Sequence, residues 1–353
     1  LTVGVCVIGA SGYTGGELLR ILLQHPKVEI RYLGSRTYKG RFLHQVHPHL
    51  RGFGLYRFSD PDVEAIPSSC DVVFLATPIE ASLKLARPLI GRGMKIIDLS
   101  PAFRLKNPGD YERWYGIKHP HPEMLRYSVY GLPELHREEI RGADLVSCPG
   151  CIAAAATLAL APLAKEGLVD PNHIIIDAKM GSSGSGSRPS RGSIHAERFG
   201  VIRPYRPVEH RHTAEIEQEL SSLSGRMVRV ALSAHAVNNV RGILCTCHAY
   251  TLAAPLSVQE LWRLYRKFYN NEVFIRLVRG ERGLYRYPDP KMVIGSNFCD
   301  VGFEVDSHSS RIVAFAATDN LVKGASGSAV QCMNLIFGLE ESLGLKVPPS
   351  YPV

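Results

Sequence analysis

The chain has 353 residues, 45% of them hydrophobic and 21% charged, with 41 Lys+Arg against 33 Asp+Glu for a net charge of +8. That length suggests about two domains, and that composition excludes both a disordered chain and a collagen-like one. The positive balance favours an anionic partner, whether phosphates, nucleic acid or an acidic protein, and solubility alone would also account for it. The chain opens on Leu1 rather than methionine, so an upstream piece is expected to be missing. No basic stretch precedes the first apolar run, and the longest apolar segment, Cys151 to Ala164, is too short to cross a bilayer. A soluble cytoplasmic protein is expected, with neither membrane nor nucleic acid as partner.

Over the first 150 residues short apolar runs alternate with helical patterns. Val3 to Ile8 is a continuous apolar run, as a strand covered on both faces should be. A glycine turn, Gly9 to Gly15, follows, and then a helix carrying Leu18, Leu19, Leu22 and Leu23. Val28 to Leu33, Asp71 to Ala76, Lys95 to Leu99 and Asp144 to Ser147 read as further strands, with a helix over Glu80 to Arg92. This alternation predicts a doubly wound parallel sheet of Rossmann type. Phe42 to Gly52 holds His44, His47 and His49 in no clean ligand register and reads as loop.

After Cys151 the texture changes. Ala153 to Leu163 is an alanine-rich helix, Ile174 to Met180 a strand and Gly181 to Arg191 a Gly/Ser/Arg loop. Alternating runs follow at Val228 to Ala234, Ile243 to Tyr250, Val273 to Val278, Val301 to Val305 and Ile312 to Ala317, with one helix over Val258 to Tyr269. Many strands and few helices predict an α+β domain with a mainly antiparallel sheet. Ser326 to Leu343 is helical and could return to the first domain. The expected division is 1–150, completed by 320–353, as the cofactor domain and 151–319 as the catalytic and oligomerisation domain.

Four motifs carry chemistry. Gly9, Gly12 and Gly15 stand between a buried strand and a helix, where backbone N–H groups at a helix N-terminus can face a pyrophosphate. The second strand ends in Gly34-Ser35-Arg36 rather than an acidic residue, which favours a 2′-phosphate and hence NADP(H) over NAD(H). Ser147-Cys148-Pro149-Gly150-Cys151 joins a strand end to a helix start. A thiol at a helix N-terminus is held toward thiolate; Cys151 lies inside that start, whereas Cys148 still belongs to the strand. In His210-Arg211-His212-Thr213-Ala214-Glu215 the glutamate stands at the capping-box offset from His212, which could move a proton; a surface basic cluster ahead of a capped helix has the same pattern. Gly181 to Arg188 could admit an anion, as could a plain flexible segment. Cys148/Cys151 and Cys245-Thr246-Cys247-His248 have no second pair to complete a zinc site, so no metal is expected.

Taken together these residues resemble a family. The Gly9–Gly15 turn, Asp98-Leu-Ser-Pro-Ala-Phe-Arg104, Tyr130-Gly-Leu-Pro-Glu134, Pro149-Gly-Cys151, His210-Arg-His-Thr-Ala-Glu215 and Asp319-Asn-Leu-Val-Lys-Gly-Ala-Ser occur in order. They look like N-acetyl-γ-glutamyl-phosphate reductase and its relative that reduces aminoadipyl or glutamyl phosphate held on an amino-group carrier protein. His195 to Arg198 through Arg203-Pro-Tyr205, and Tyr287 to Glu304, look more like the carrier-linked branch. The pattern departs from the family after the cysteine, where Ile152 and Ala153 stand.

The resemblance implies NADPH-dependent reduction of an acyl phosphate to a semialdehyde, in lysine or arginine biosynthesis, through a thioester on Cys151. His212 would be the proton shuttle and Glu215 its orienter. It further implies cofactor contacts from Gly9, Ser11, Gly12, Tyr13, Thr14, Gly15, Ser35, Arg36, Thr37 and Asn320. Substrate or phosphate contacts are expected from Arg104, Ser183, Gly184, Arg188, His210 and Arg211. The expected partners are an acyl phosphate on a small acidic carrier protein and further copies of the chain in a dimer or tetramer. The competing readings are the free N-acetyl substrate, an aspartate-semialdehyde dehydrogenase and a non-catalytic NADP-binding redox sensor.

Overall fold

The computed structural model describes residues 2–252 and 256–353; Leu1 and residues 253–255 lie outside the described residues. The chain forms two compact units: 1–112, 117–149 and 325–347 in the first, and 113–116, 150–324 and 348–353 in the second.

The first unit begins with β1 (Val3–Ile8), every residue of which is buried, followed by α1 (Tyr13–Leu22) and β2 (Val28–Gly34). A short helix α2 (Leu43–Val46) leads to β3 (Phe58–Ser59) and β4 (Val72–Leu75). Then come α3 (Ile79–Gly91), β5 (Lys95–Asp98), α4 (Pro108–Tyr115), β6 (Val129–Tyr130), α5 (Pro133–Arg141) and β7 (Leu145–Ser147). The strands lie in the order β3-β2-β1-β4-β5-β7-β6, and every pairing is parallel. The doubly wound parallel sheet expected from the alternating pattern is therefore present. Chain direction across the sheet reverses between β1 and β4, and this switch point, beside the Gly9–Gly15 turn, is where such sheets leave a crevice for ligands.

The second unit opens with α6 (Cys151–Lys165), whose residues 152–164 are all buried, as a helix apolar on every side must be. After it come β8 (Val169–Met180), α7 (His195–Arg198), β9 (Ile202–Arg206), α8 (His212–Ser224), β10 (Val230–Val237), β11 (Ile243–Thr251) and α9 (Val258–Phe268). The strands β12 (Ile275–Leu277), β13 (Cys299–Asp306) and β14 (Arg311–Thr318) complete the sheet, in the order β12-β13-β14-β11-β8-β10-β9. Four pairings are antiparallel and two, β8 with β10 and β12 with β13, are parallel. Alternate residues of β10 and β11 are buried; α6 packs on this sheet, and Tyr265 of α9 donates to the Ala159 carbonyl of α6 at 2.7 Å. Among the described residues no helix is long and apolar enough to cross a membrane.

Several elements differ from the sequence reading: α2 falls inside Phe42 to Gly52, which reads as loop, β3, α4, β6 and α5 were not expected, and β8 begins at Val169 rather than Ile174. β9 was not expected: Ile202-Arg-Pro-Tyr-Arg206 has no period-two pattern, and it forms an edge strand with most of its side chains exposed. The C-terminal helix was expected over Ser326 to Leu343. Instead α10 (Gly327–Ile336) follows a π-helical turn at Val322–Ser326 and stops at Phe337, before Gly338 at φ +64°.

In the first unit Asn334 of α10 ties down the segment beyond that stop. Its Nδ2 donates to the Glu341 and Leu343 carbonyls at 3.1 and 2.9 Å, and its Oδ1 accepts from His25 Nε2 at 3.0 Å. Asn334→Ala would leave buried polar groups without partners at about 1–3 kcal/mol each. Thermal unfolding of this variant should show Tm lowered by several degrees; an unchanged Tm contradicts the anchoring role.

Candidate active site

In the first unit the glycine turn is dictated by sterics. Gly9 sits at φ +82°, and a Cβ there would stand 2.2 Å from the Ala76 carbonyl oxygen. A Cβ on Gly15 would meet Ala10 Cα at 2.6 Å, whereas one on Gly12 would find only the Gly9 oxygen at 3.9 Å. Two glycines are thus needed for packing, and the third leaves open space at the head of α1. That helix has no side-chain cap on its first amides and no acidic residue in its first turn, which suits an anion at its positive end. The turn therefore fits a dinucleotide pyrophosphate. Ser11 and Thr14 are partly exposed and Tyr13 is exposed. Ser35 is buried: its Oγ donates to Ser11 Oγ at 3.0 Å, while Arg36 and Thr37 stand exposed beside it. His47, read from sequence as loop, is part of this framework. Its Nε2 donates to the Ala10 carbonyl at 2.8 Å, and its ring fills the space that a side chain on Gly16 would need.

In the second unit Cys151 is the first residue of α6 and is partly exposed; in the first, Cys148 is fully buried. The accessible thiol at the helix N-terminus is thus Cys151. Gly150, its N-cap, makes two contacts that only glycine permits together. Its N–H donates to Glu215 Oε2 at 2.8 Å, and a Cβ on it would lie 2.3 Å from His212 Nε2. The His212 ring therefore rests directly on the backbone that carries Cys151. Its Nε2 also lies 4.0 Å from Glu215 Oε1, and both side chains are buried. The N-cap of α8 makes no side-chain cap hydrogen bond; Glu215 faces His212 along α8 with one oxygen and reaches across to the start of α6 with the other.

His210 serves α8 itself. Its Nδ1 accepts from the His212 N–H at 3.2 Å, which places the ring proton on Nε2, 3.4 Å from Tyr205 Oη. Burial, with Arg211 and Arg206 adding to it, pushes His210 down to about 4, so the ring is neutral near pH 7. Glu209, just before it, is held at φ +52°, a strained conformation for a non-glycine residue beside the site.

Other expected contacts are placed differently. Arg104, in the first unit, is buried, its Nε donating to the Cys148 carbonyl at 2.7 Å and its Nη2 to the Leu99 carbonyl at 3.0 Å. Asn320, in the second, accepts from Gly242 N–H at 2.8 Å and donates to Ser183 Oγ at 2.9 Å, so both ends of its amide are committed to bracing the Ser183 loop. That loop is a short 3₁₀ turn in which the amides of Ser182, Ser183, Gly184 and Gly186 all donate to backbone carbonyls and do not point at an anion. Gly184, Arg188 and Arg211 are exposed. Sequence reasoning missed Gly324, where a Cβ would lie 2.8 Å from Cys151 Cβ. It also missed Asp319, whose carboxylate holds Arg241 at 2.9 Å and accepts from the Gly295 and Leu321 amides, both at 2.8 Å. Both lie in the Asp319–Ser326 motif, whose recurrence was the only available signal.

A strand–glycine turn–helix crevice in one unit and a helix-head thiol with His and Glu in the other define a nicotinamide-dependent dehydrogenase of the acylating, cysteine-based class. Comparison with known proteins agrees. Residues 4–143 match the family "Semialdehyde dehydrogenase, NAD binding domain", and residues 151–320 match "Semialdehyde dehydrogenase, dimerisation domain". A protein of Sulfurisphaera tokodaii named LysW-L-2-aminoadipate/LysW-L-glutamate phosphate reductase is 48% identical over 348 residues, 99% of each chain. Relatives from Cenarchaeum symbiosum and Nitrosopumilus maritimus, provisionally named for the same activity, are 54% and 52% identical over 349 residues, again 99% of each chain. Among solved structures, aspartate semialdehyde dehydrogenase II of Vibrio cholerae superposes with a TM-score of 0.73 at 18% identity, over 96% of this chain and 99% of that one. The NADP-bound aspartate semialdehyde dehydrogenase of Candida albicans gives 0.71 at 16%, over 96% and 99%. At such identities these two share the fold. The chain belongs to the semialdehyde dehydrogenase family, in the group of the phosphate reductases that are half identical to it along their whole length.

Two outcomes follow from this geometry. Cys151→Ser should abolish turnover while NADPH binding, read by fluorescence, stays near normal, and Cys148→Ser should remain active; the reverse pattern would exchange the two thiols. His210 has its folded pKa below its unfolded one, so its contribution to stability is full above about pH 6.5 and is lost as the pH falls toward 4. The Tm of the parent should therefore fall more between pH 7 and pH 4.5 than that of His210→Asn, whose amide oxygen can still accept from His212 N–H. Parallel curves would contradict the assignment.

Proposed function

We propose that this protein reduces an acyl phosphate to a semialdehyde with NADPH, and that the acyl group is an aminoadipyl or glutamyl phosphate borne on a small acidic amino-group carrier protein. The observation that carries the reading is the Cys151–Gly150–His212–Glu215 arrangement, a reachable thiol at a helix head with an imidazole seated on its backbone. The names of the relatives that match along the full chain support the carrier-linked substrate.

The Cys151 thiolate attacks the acyl carbonyl, forming an S–C bond while the C–O bond to phosphate breaks and inorganic phosphate departs. Phosphate is a good leaving group, and the thioester left behind is a better acceptor than a carboxylate. The Gly9–Gly15 turn, with Ser11, Tyr13 and Thr14 at the helix head, would hold NADPH, which when bound would supply hydride to the thioester carbonyl carbon. Arg36 and Thr37, both exposed, are the groups we assign to a 2′-phosphate. His212 gives a proton to the oxygen of the reduced thioester carbon to form the thiohemiacetal and takes it back as the C–S bond breaks, Cys151 leaves as thiolate and the aldehyde is released. Glu215, fixed by the Gly150 N–H, holds that ring in register. Arg188 and Arg211, both exposed, are assigned to the anionic groups of the substrate.

Six arginines, Arg188, Arg191, Arg198, Arg203, Arg206 and Arg211, fall within 24 residues of the second unit. Four of them are exposed, and Arg198 is committed to the Met180 carbonyl at 2.7 Å. A small free substrate needs about two cations to pair its charges, whereas an acidic protein can use more. Electrostatic steering predicts that kcat/KM for the carrier-linked acyl phosphate falls steeply between about 0.05 and 0.3 M salt while activity on free N-acetylglutamyl phosphate falls much less. If the free substrate is preferred and salt acts on both alike, the enzyme is an ordinary N-acetyl-γ-glutamyl-phosphate reductase. NADPH binding without turnover of any acyl phosphate would instead favour a redox sensor. The second unit matches a dimerisation domain, and we take a homo-oligomer as the working form.

A further inference from the structure

In the first unit the strand ends that precede the nucleophile are held by a buried polar chain that the reaction itself does not use. Asp98 closes β5 and is fully buried. Its Oδ1 accepts from Ser82 Oγ at 2.8 Å and from Ser100 N–H at 3.1 Å, and its Oδ2 accepts from Ser100 Oγ at 2.8 Å. Ser100 Oγ in turn accepts from Ala102 N–H at 3.1 Å, so the carboxylate folds the turn that delivers Arg104. The Arg104 guanidinium bonds the carbonyls of Leu99 and Cys148, one from each side of the β5–β7 pair, and the Asp98 carbonyl accepts from Cys148 N–H at 2.7 Å. The other end of the chain reaches the cofactor turn, because Ser82 Oγ lies 2.8 Å from Thr77 Oγ1 and Thr77 flanks Gly9.

Resting on the reading of Cys151 as nucleophile, we infer that Asp98 is a positioning residue for it: its ionised carboxylate, with the buried Arg104 as counter-charge, fixes Cys148, from which only Pro149 and Gly150 lead to Cys151. Arg104 is then a clamp on the entering chain rather than a substrate ligand. Thermodynamics supports a functional reason for the charge. Burial pushes Asp98 up to about 6 despite its hydrogen bonds and the nearby Arg104. Ionisation is therefore harder in the folded chain, and stability falls as pH rises from the ordinary carboxylate range through 6 and stays lower above it. An asparagine could satisfy the same hydroxyls, since a serine Oγ can accept as well as donate. The charge is thus kept near neutral pH at the expense of stability, a common mark of residues held for function.

The test compares Asp98→Asn with the parent, both as full chains. Iodoacetamide alkylation at pH 7.5, with the modified cysteine assigned by peptide mass spectrometry, reads the presentation of the Cys151 thiol without needing any substrate. The expected result is Cys151 alkylation at least fivefold slower and kcat at least tenfold lower, with the NADPH Kd within twofold and Tm at pH 7.5 not reduced. Alkylation and kcat both within twofold of the parent overturn the inference, as does a loss confined to Tm. Should Asp98→Asn fail to fold, Ser100→Ala removes the hydroxyl link while keeping the charge. It is expected to slow alkylation at least twofold, and an unchanged rate overturns the inference. A parent inactive on every acyl phosphate would refute the proposed function, whereas the alkylation rates would still decide the part played by Asp98.

Discussion

One hydrogen bond organises the candidate site of the second unit: the buried carboxylate of Glu215 on the N–H of Gly150. The first amides of a helix have no partners within the helix, and a carboxylate there meets both the unsatisfied donor and the positive end of the dipole. In a capping box a residue in the helix's own first turn supplies such an acceptor; here a different helix, α8, does so. The consequence is geometric. Because Glu215 is anchored on α6, His212 one turn earlier on α8 is brought onto Gly150, and glycine alone leaves room for the ring. The thiol, the imidazole and the carboxylate are thus set by a single long-range bond and one missing Cβ. The same logic extends to Gly324, whose lack of a side chain lets the π-helical turn pass against Cys151 Cβ.

A comparable economy governs the first unit. The glycine turn needs Gly9 and Gly15 for its own folding, and the third glycine leaves the helix head open. The imidazole of His47 then closes the far side of the turn by taking up the Ala10 carbonyl. What a ligand would meet is a set of oriented amides on a rigid, fully buried strand, and such preorganisation lowers the entropy lost on binding.

Much of this was legible in the sequence because local pattern and tertiary role coincide. The uninterrupted apolar run of β1 followed by spaced glycines can hardly be anything but a covered strand entering a ligand-facing turn, and α6 announces itself by an apolar surface on every side. Cys151 could be preferred over Cys148 from position alone. Roles set by distant partners were not legible. Glu215 has the spacing of a local cap but pairs with a residue 65 positions away, and Arg104 and Asn320 carry polar groups suited to ligands yet spend them on the protein's own backbone and on Ser183. β9 escaped notice because an exposed edge strand need not alternate, and its Pro204 and arginines read as loop. His47 had no signal beyond its identity, since its partner is a main-chain oxygen.

The central claim is that Cys151 carries the acyl group, and it can be examined without following turnover. The enzyme, freed of NADPH, is mixed with the carrier-linked acyl phosphate, quenched in acid within seconds and digested, and phosphate release is measured in parallel. The account predicts about one phosphate released per active site and an acyl mass on the peptide that begins α6, at Cys151. An acyl group found on Cys148, or phosphate released with no acylated peptide, would contradict it.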